Sequence, residues 1–433
     1  MPNPLKSPLP KIATPIPTFG EAFLDGALID LVRADRTEHP QLALWDGRNE
    51  TVGPCVEHNG HQYVLGVIDV SILRELALPT QVLPHGTTRN LLTQICKLMT
   101  TFAGLDEKSA ALISRVVLCS HVLEALPVAP TVAILSPDMS RGNRLMALLS
   151  CLCWRALSLT GVTPAALCSL PSGAGFTLLI NQKNLRSKLL RLLDDASNRG
   201  RKILYRGRLL DLFGVQVIHT LESDDGALRA IPISVIPSDR ELPAFDLDTQ
   251  RQITKEFQAK LLNFRRVNLA SARNLRFSTS KFSFPLRDLA WSLAAATPDD
   301  QQSQEEIFEL LRDMATQIRS ETWVDLSAIA VESLLVVCKE NESPAAFARV
   351  SDLVQIAQEL LSRRGGEASI DLGQLGKHLK LLGFTSERDA KGKKLRLTKA
   401  VRDRIQQLAR NLGLADYGNR AQRTTAQPAS LRM

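Results

Sequence analysis

The stretch SPDMSRGNRLMALLS (136–150) follows the apolar run TVAIL, so a strand, a glycine-bearing turn and a helix should succeed one another there. That order can hold phosphate. Backbone N–H groups at a helix start cradle an anion, a lysine neutralises the β and γ oxygens, and a Ser/Thr hydroxyl binds Mg²⁺. With Gly142 as the last loop glycine, the G-x-x-x-x-G-K-[ST] frame starts at Pro137 and places Asn143 and Arg144 at the lysine and hydroxyl positions. An acid at the end of a neighbouring strand should complete the metal site, yet TLLINQ supplies Asn181 and Gln182 there. Each replacement removes a charge or a metal ligand. One lost transition-state donor costs about 10²–10³ in rate, so this set of residues predicts no ATP hydrolysis. Binding without turnover would rest on Arg144 and the helix dipole, against the repulsion of Asp138. The expectation is a structural turn with no cofactor, ATP with Mg²⁺ being what the site would take if binding survived.

A second set of residues suits a polyanion. From Gly376 to Met433 there are 14 lysines and arginines against four acids, a local charge of +10 in a chain of +8. All the excess positive charge is therefore at one end, and a localised basic face implies an anionic partner better than a high pI does. In DLGQLGKHLKLLGF, Leu372, Leu375, Leu379 and Leu382 recur at three- and four-residue spacing and should face the core. Gln374, Lys377, His378 and Lys380 then fall on the other faces, where a recognition helix meets DNA. The following ERDAKGKKLRLTK would form a wing offering Lys391, Lys393, Lys394 and Arg396 to phosphates. Binding of that kind is salt-dependent and largely independent of sequence. The only aromatic residues in this segment are Phe384 and Tyr417, which favours duplex DNA over base stacking. The bland alternative is a solvated basic surface or a subunit contact.

Other chemistry finds little support. LPSGAGF (170–176) reads as a turn, and Arg206 and Arg208 could act as arginine fingers only if a competent site faced them. The seven histidines show no H-x-x-x-H pattern, no G-x-S-x-G occurs, and the seven cysteines lack a C-x-x-C pair. They read as reduced core thiols, with no metal site. The longest apolar stretch, Leu145–Trp154, is too short to span a bilayer, and no secretory leader opens the chain, so a cytoplasmic protein without membrane contact is expected.

The elements that must position these residues follow from periodicity. Six prolines within residues 1–17 suggest a flexible leader (1–20). Short strands near 40–70 form a small β unit (21–85), followed by helices at 88–104 and 107–125. Strand and helix then alternate: TVAILS, a helix over 143–156, FTLLIN, a helix ending at Gly200, VQVIHT and AIPISVIPS. That alternation argues for an α/β fold with a parallel sheet. A helical region (244–345) leads to helix, helix, basic hairpin and helix over 346–414, the order of a winged helix, and then a polar tail (415–433) expected to be disordered.

The run from ILSPDMSRGNR through TPAAL to TLLINQKN resembles a family of helicase/primase-associated P-loop ATPases of bacterial phages and mobile elements, clearest over 88–243. In that family a CGKT-like turn is followed by SPAAL-like and TLLIDEAD-like segments. LRAIPISVIPSDRELP resembles a further segment and carries Arg229. The resemblance implies a RecA/AAA-like P-loop domain whose nucleotide site, here Pro137, Gly142, Asn143, Arg144, Asn181, Gln182 and Arg229, has lost its charged members. The function expected is nucleic-acid binding in replication or maintenance of a mobile element, without ATPase activity and with homo-oligomers or replication proteins as further partners. Two readings stand beside it: a DNA-dependent ATPase or helicase with a non-standard site, and a protein-interaction adaptor.

Overall fold

The computed structural model describes residues 14–33, 39–136, 139–182, 185–220, 230–235, 241–282, 284–324, 326–340, 343, 346–363, 370–390, 392–412 and 414. The chain divides into two units, Met1–Thr279 with Asp288–Leu310, and Ser280–Arg287 with Leu311–Met433. The first begins with β1 (Ile16–Thr18), β2 (Glu21–Ala22), β3 (Leu28–Val32), β4 (Gln41–Trp45), β5 (Glu50–Gly53), β6 (Cys55–His58) and β7 (His61–Leu65). These form a sheet in the order β1-β7-β6 and another in the order β2-β3-β4-β5. Strand β1 thus lies inside the segment expected to be a flexible leader, pairing in parallel with β7. Strand β3 (LIDLV) is buried along its whole length.

Helices α1 (Val70–Glu75), α2 (Thr88–Phe102) and α3 (Glu107–His121) lead to the alternating part of the chain. It runs β8 (Thr131–Leu135), α4 (Met139–Leu152), β9 (Ala156–Thr160), α5 (Pro164–Leu167), β10 (Thr177–Asn181), α6 (Ser187–Ala196), β11 (Ile203–Tyr205), β12 (Arg208–Leu210), β13 (Gln216–Thr220) and β14 (Ile231–Ser234). Five of these strands make one sheet in the order β14-β8-β13-β10-β9, every neighbour parallel. Its inner strands are almost continuously buried because helices cover a parallel sheet on its faces.

The sheet departs from expectation at its edge. Helix α4 begins at Met139 and ends at Leu152 where a helix over 143–156 was expected, and Ala156–Thr160 is a strand, β9, absent from the expected alternation. The chain leaves the helix through Arg155, whose φ of 48° lies in the left-handed region. As an edge strand buried only in part, β9 lacks the unbroken buried apolar run that marks the inner strands of the same length. Strands β11 and β12 form a separate hairpin closed by Arg206 and Gly207, both with positive φ, the geometry of a two-residue type I′ turn.

Helix α7 (Leu247–Arg273), with α8 (Phe284–Ala295) and α9 (Gln301–Val324) after it, covers the segment expected as a separate helical region. Instead α7 is built into the first unit through Arg265, which is fully buried. Its guanidinium donates to Asp30 Oδ1 at 2.9 Å, to both Glu124 carboxylate oxygens at 2.6 Å and to the His121 carbonyl at 2.8 Å. The Trp154 ring lies 4.6 Å from it and carries Arg155 at 3.7 Å. Burial alone would raise the Glu124 carboxyl, but the charge and hydrogen bonds of Arg265 outweigh it and hold the group at about 2. Burial pushes Arg155 down to about 10, and His121 down to about 3, so that this imidazole is neutral.

The second unit contains α10 (Leu326–Glu340), β15 (Phe347–Arg349), α11 (Val350–Arg363), α12 (Leu372–Leu381), β16 (Glu387–Asp389), β17 (Gly392–Arg396) and α13 (Lys399–Asn411). The strands form an antiparallel sheet in the order β15-β17-β16. One core joins Ile329, Leu334, Leu353, Leu375, Leu379, Leu395 and Ile405, so α10 packs with the basic segment as part of the same unit. No described helix is long and apolar enough to cross a membrane.

Candidate functional sites

In a parallel sheet the carboxyl ends of the strands are where ligands are met, and here β8, β13 and β10 end side by side. Helix α4 follows β8 and places Gly142, buried, and Asn143, exposed, in its first turns. Asn181 closes β10 and donates its amide to Asn143 Oδ1 at 2.6 Å. The position that would carry a lysine and the position that would carry a carboxylate are therefore in direct contact, as two neutral amides. Between strands β8 and β10 stands His219 of β13, in register with Ile134 on one side and Asn181 on the other.

His219 is fully buried, and neither ring nitrogen has a hydrogen-bond partner. Burial lowers its pKa, so the ring is neutral. It presses on α4 at Gly142, where an added Cβ would lie 2.1 Å from Nε2. Glycine is required at that position because helix and strand touch through it. Sequence patterns did not single out His219, since a histidine inside an apolar strand carries no motif.

Arg144 is turned elsewhere. Its guanidinium donates to the Pro243 carbonyl and sits 5.7 Å from the centre of the Phe245 ring, which packs on Phe102. Burial, and then the neighbouring Arg141, lowers its pKa. The side chain proposed as a phosphate contact thus fastens the segment before α7 to the start of α4. Gln182 continues β10, its backbone N–H donating to the His219 carbonyl at 3.2 Å. Pro137 and Arg229 lie outside the described residues. The described residues at these strand ends include three amides, Asn143, Asn181 and Gln182, and the His219 imidazole, with no carboxylate among them.

In the second unit α12 begins with a capping box: Asp371 Oδ1 accepts from the Gln374 N–H at 2.7 Å while Gln374 Oε1 accepts from the Asp371 N–H at 3.2 Å. Leu375 and Leu379 are buried and Leu382 is partly so, as the spacing predicts. Leu372 is 57% exposed, against expectation, because it is the first helical residue and sits beyond the reach of the core. Lys377 and Lys380 are exposed with Gln374. His378 is not on that surface: its Nδ1 is hydrogen-bonded to Ser327 Oγ at 3.0 Å, so it joins α12 to α10.

The basic hairpin divides its cations between two faces, as strand alternation requires. Lys393 shares a face with buried Leu395 and lies directly opposite Arg388, both exposed. Lys394 and Arg396 take the other face. Lys394 is held by Asp389 at 3.3 Å and lies 4.4 Å from the centre of the Phe347 ring. Arg396 is exposed, opposite Phe347. Phe384 is buried, while Lys391 and Tyr417 lie outside the described residues.

No protein-family model and no curated protein matches the sequence. Among solved structures, the A form apo structure of the NrS-1 C-terminal region is similar at 10% identity, over 85% of this chain and 96% of that one, with a TM-score of 0.34. A second structure of that region gives 13% identity, 86% and 96% coverage and a TM-score of 0.32. Drosophila ORC bound to DNA gives 12% identity, 83% and 96% coverage and a TM-score of 0.17. Similarities this low transfer no property of those proteins to this chain.

Proposed function

We propose that this chain is a catalytically degenerate, helicase-like P-loop protein that binds duplex nucleic acid through its C-terminal unit, a winged helix, in replication or maintenance of a mobile element. The observation that carries the nucleic-acid reading is the Arg388–Lys393 pair. Like charges directly opposite on neighbouring strands repel, and neither has a carboxylate partner among the described residues. With Lys377 and Lys380 exposed on α12, the unit keeps four uncompensated cations that a phosphate backbone would neutralise. The element order helix, strand, helix, helix, hairpin, helix supports the winged-helix assignment. The mobile-element context follows from the sequence resemblance.

The degenerate reading of the first unit is supported by the neutral Asn143–Asn181 contact, by His219 seated against Gly142, and by the engagement of Arg144 with Pro243 and Phe245. The described residues do not fit Mg²⁺–ATP: among them no ammonium stands where the γ-phosphate would lie and no carboxylate where the metal would. A ligand at a hundred times its Kd would stabilise the protein by about 2.7 kcal/mol, so addition of millimolar Mg²⁺–ATP should leave the melting temperature unchanged. A clear upward shift, or turnover stimulated by DNA, would restore the ATPase reading.

The decisive experiment is a titration of the full chain into labelled blunt duplex across a salt series. Salt-dependent binding that loses part of its slope in Lys377→Ala/Lys393→Ala is expected. Failure to bind at moderate salt would favour an adaptor. That second reading has an observation of its own: Leu204 and Leu209 pair across the β11–β12 hairpin with 71% and 68% of their surface exposed.

A further inference from the structure

The sheet of the second unit has an outward face that the duplex reading leaves unused. Ala348 is buried, so its neighbours Phe347 and Arg349 project to the opposite side, and Phe347 is 40% exposed. Across the ladder Phe347 faces Arg396 and Arg349 faces Lys394. Asp389 serves two of these cations, Lys394 at 3.3 Å and Arg349 at 3.5 Å. The Lys394 ammonium lies over the Phe347 ring, a cation–π contact that fixes the ring's pose. Arg396 stands beside the ring, exposed and without a carboxylate partner among the described residues.

We propose that this face is a stacking platform for single-stranded nucleic acid, with a base on Phe347 and the adjoining phosphate on Arg396. This rests on the nucleic-acid reading of the same unit and extends it from duplex to strand. An aromatic ring beside a free guanidinium is the combination by which proteins hold single strands without regard to sequence, because every base has a π-face and every nucleotide a phosphate. A ring already held in place loses little conformational freedom when a base stacks on it. Charge decides the occupant. An apolar protein segment laid over Phe347 would cover Arg396 without neutralising it, whereas a nucleotide answers both groups. The Arg388–Lys393 pair lies on the other face of the hairpin, so a strand on Phe347 and a duplex on Arg388 and Lys393 need not compete for the same side chains.

The test uses the full chain, with fluorescence anisotropy of labelled oligothymidylate and, separately, of a blunt duplex. Phe347→Ala is expected to weaken oligothymidylate binding on the order of tenfold, with duplex binding and melting temperature unchanged. Phe347→Trp should restore the affinity, and Arg396→Gln should lower both the single-strand affinity and its salt slope. Unchanged oligothymidylate binding in Phe347→Ala would overturn the inference while leaving the duplex reading intact. So would an equal loss for duplex and single strand, or a wild-type chain that binds duplex alone. A chain that binds neither probe would remove both.

Discussion

The two units hold particular cations in opposite ways. In the first, Arg265 is enclosed by Asp30, Glu124, the His121 carbonyl and the face of Trp154, and Arg144 is fastened to Pro243 and Phe245. Arg115, 1% exposed, meets Glu306 at 2.8 Å. In the second, Arg388, Lys393, Lys377, Lys380 and Arg396 are exposed and lack carboxylate partners among the described residues. A buried cation must be paired, since leaving it or its partner alone carries the full desolvation penalty. An exposed cation held near others of its sign keeps its hydration but repels its neighbours, and an anion from outside relieves that repulsion. The contrast teaches that the enclosed cations of the first unit are structural, while these exposed ones of the second are available for recognition.

The largest effect should come from breaking the structural side. Arg265→Ala leaves Asp30 and Glu124 facing one another in a buried site, and such a loss costs about 3–5 kcal/mol. Chemical denaturation should show it, with duplex binding by the surviving folded protein unchanged. If Arg265→Ala melted like wild type, the pairing would not be what holds α7 to the first unit.

Acid should act on the same cluster. Glu124 titrates at about 2 in the folded chain against an ordinary 4.5. A carboxyl depressed by folding contributes stability that is full above the unfolded pKa and is lost as pH falls through the folded one. The window is therefore from about pH 4.5 down to 2, and the contribution at neutral pH is about 3 kcal/mol. Stability curves of wild type and Glu124→Gln should converge as pH falls through that window. Parallel curves would show that Arg265 does not depress this group.

A third test concerns the strand ends, where neither unit's use of charge applies. Gly142→Ala places a methyl against the His219 ring and should cost about 1–3 kcal/mol, as overpacking does. His219→Ala opens the space, so the double variant should recover much of the loss, a coupling readable in a double-mutant cycle. Additive effects would mean the ring and the glycine are not in contact.

How much of this was legible in the sequence depends on spacing. The buried strands β8, β10 and β13 stand out because both faces are covered and the apolar run is unbroken. Asn143 and Asn181 could be paired in thought before their contact was known, because each occupies a fixed place after a strand. The Arg265 cluster could not: Asp30, Glu124, Arg155 and Arg265 follow no period, and only the tertiary fold brings them together. Likewise Phe347 precedes the segment whose charge drew attention, and it joins the basic hairpin only through a three-residue edge strand. His378 and Leu372 were misplaced for a common reason. Periodicity assigns a face to each helical residue, but the neighbours decide how far the core extends and which polar groups it accepts.

The smallest energy gives the sharpest discrimination between the two kinds of cation. Lys393→Glu replaces a repelling cross-strand pair by an attracting one, and such pairs contribute about 0.2–1 kcal/mol. The folded chain should therefore become slightly more stable, while duplex binding weakens and the log–log salt slope falls by about 0.9 for the lost phosphate contact. A structural cation cannot behave in this way, because removing it lowers stability and any effect on binding follows from that loss. Stability and affinity moving in opposite directions at Lys393, and stability alone falling at Arg265, would separate recognition from architecture within one chain. If Lys393→Glu lost stability and affinity together, the hairpin cations would belong with the structural ones, and the basic unit would need another explanation for its charge.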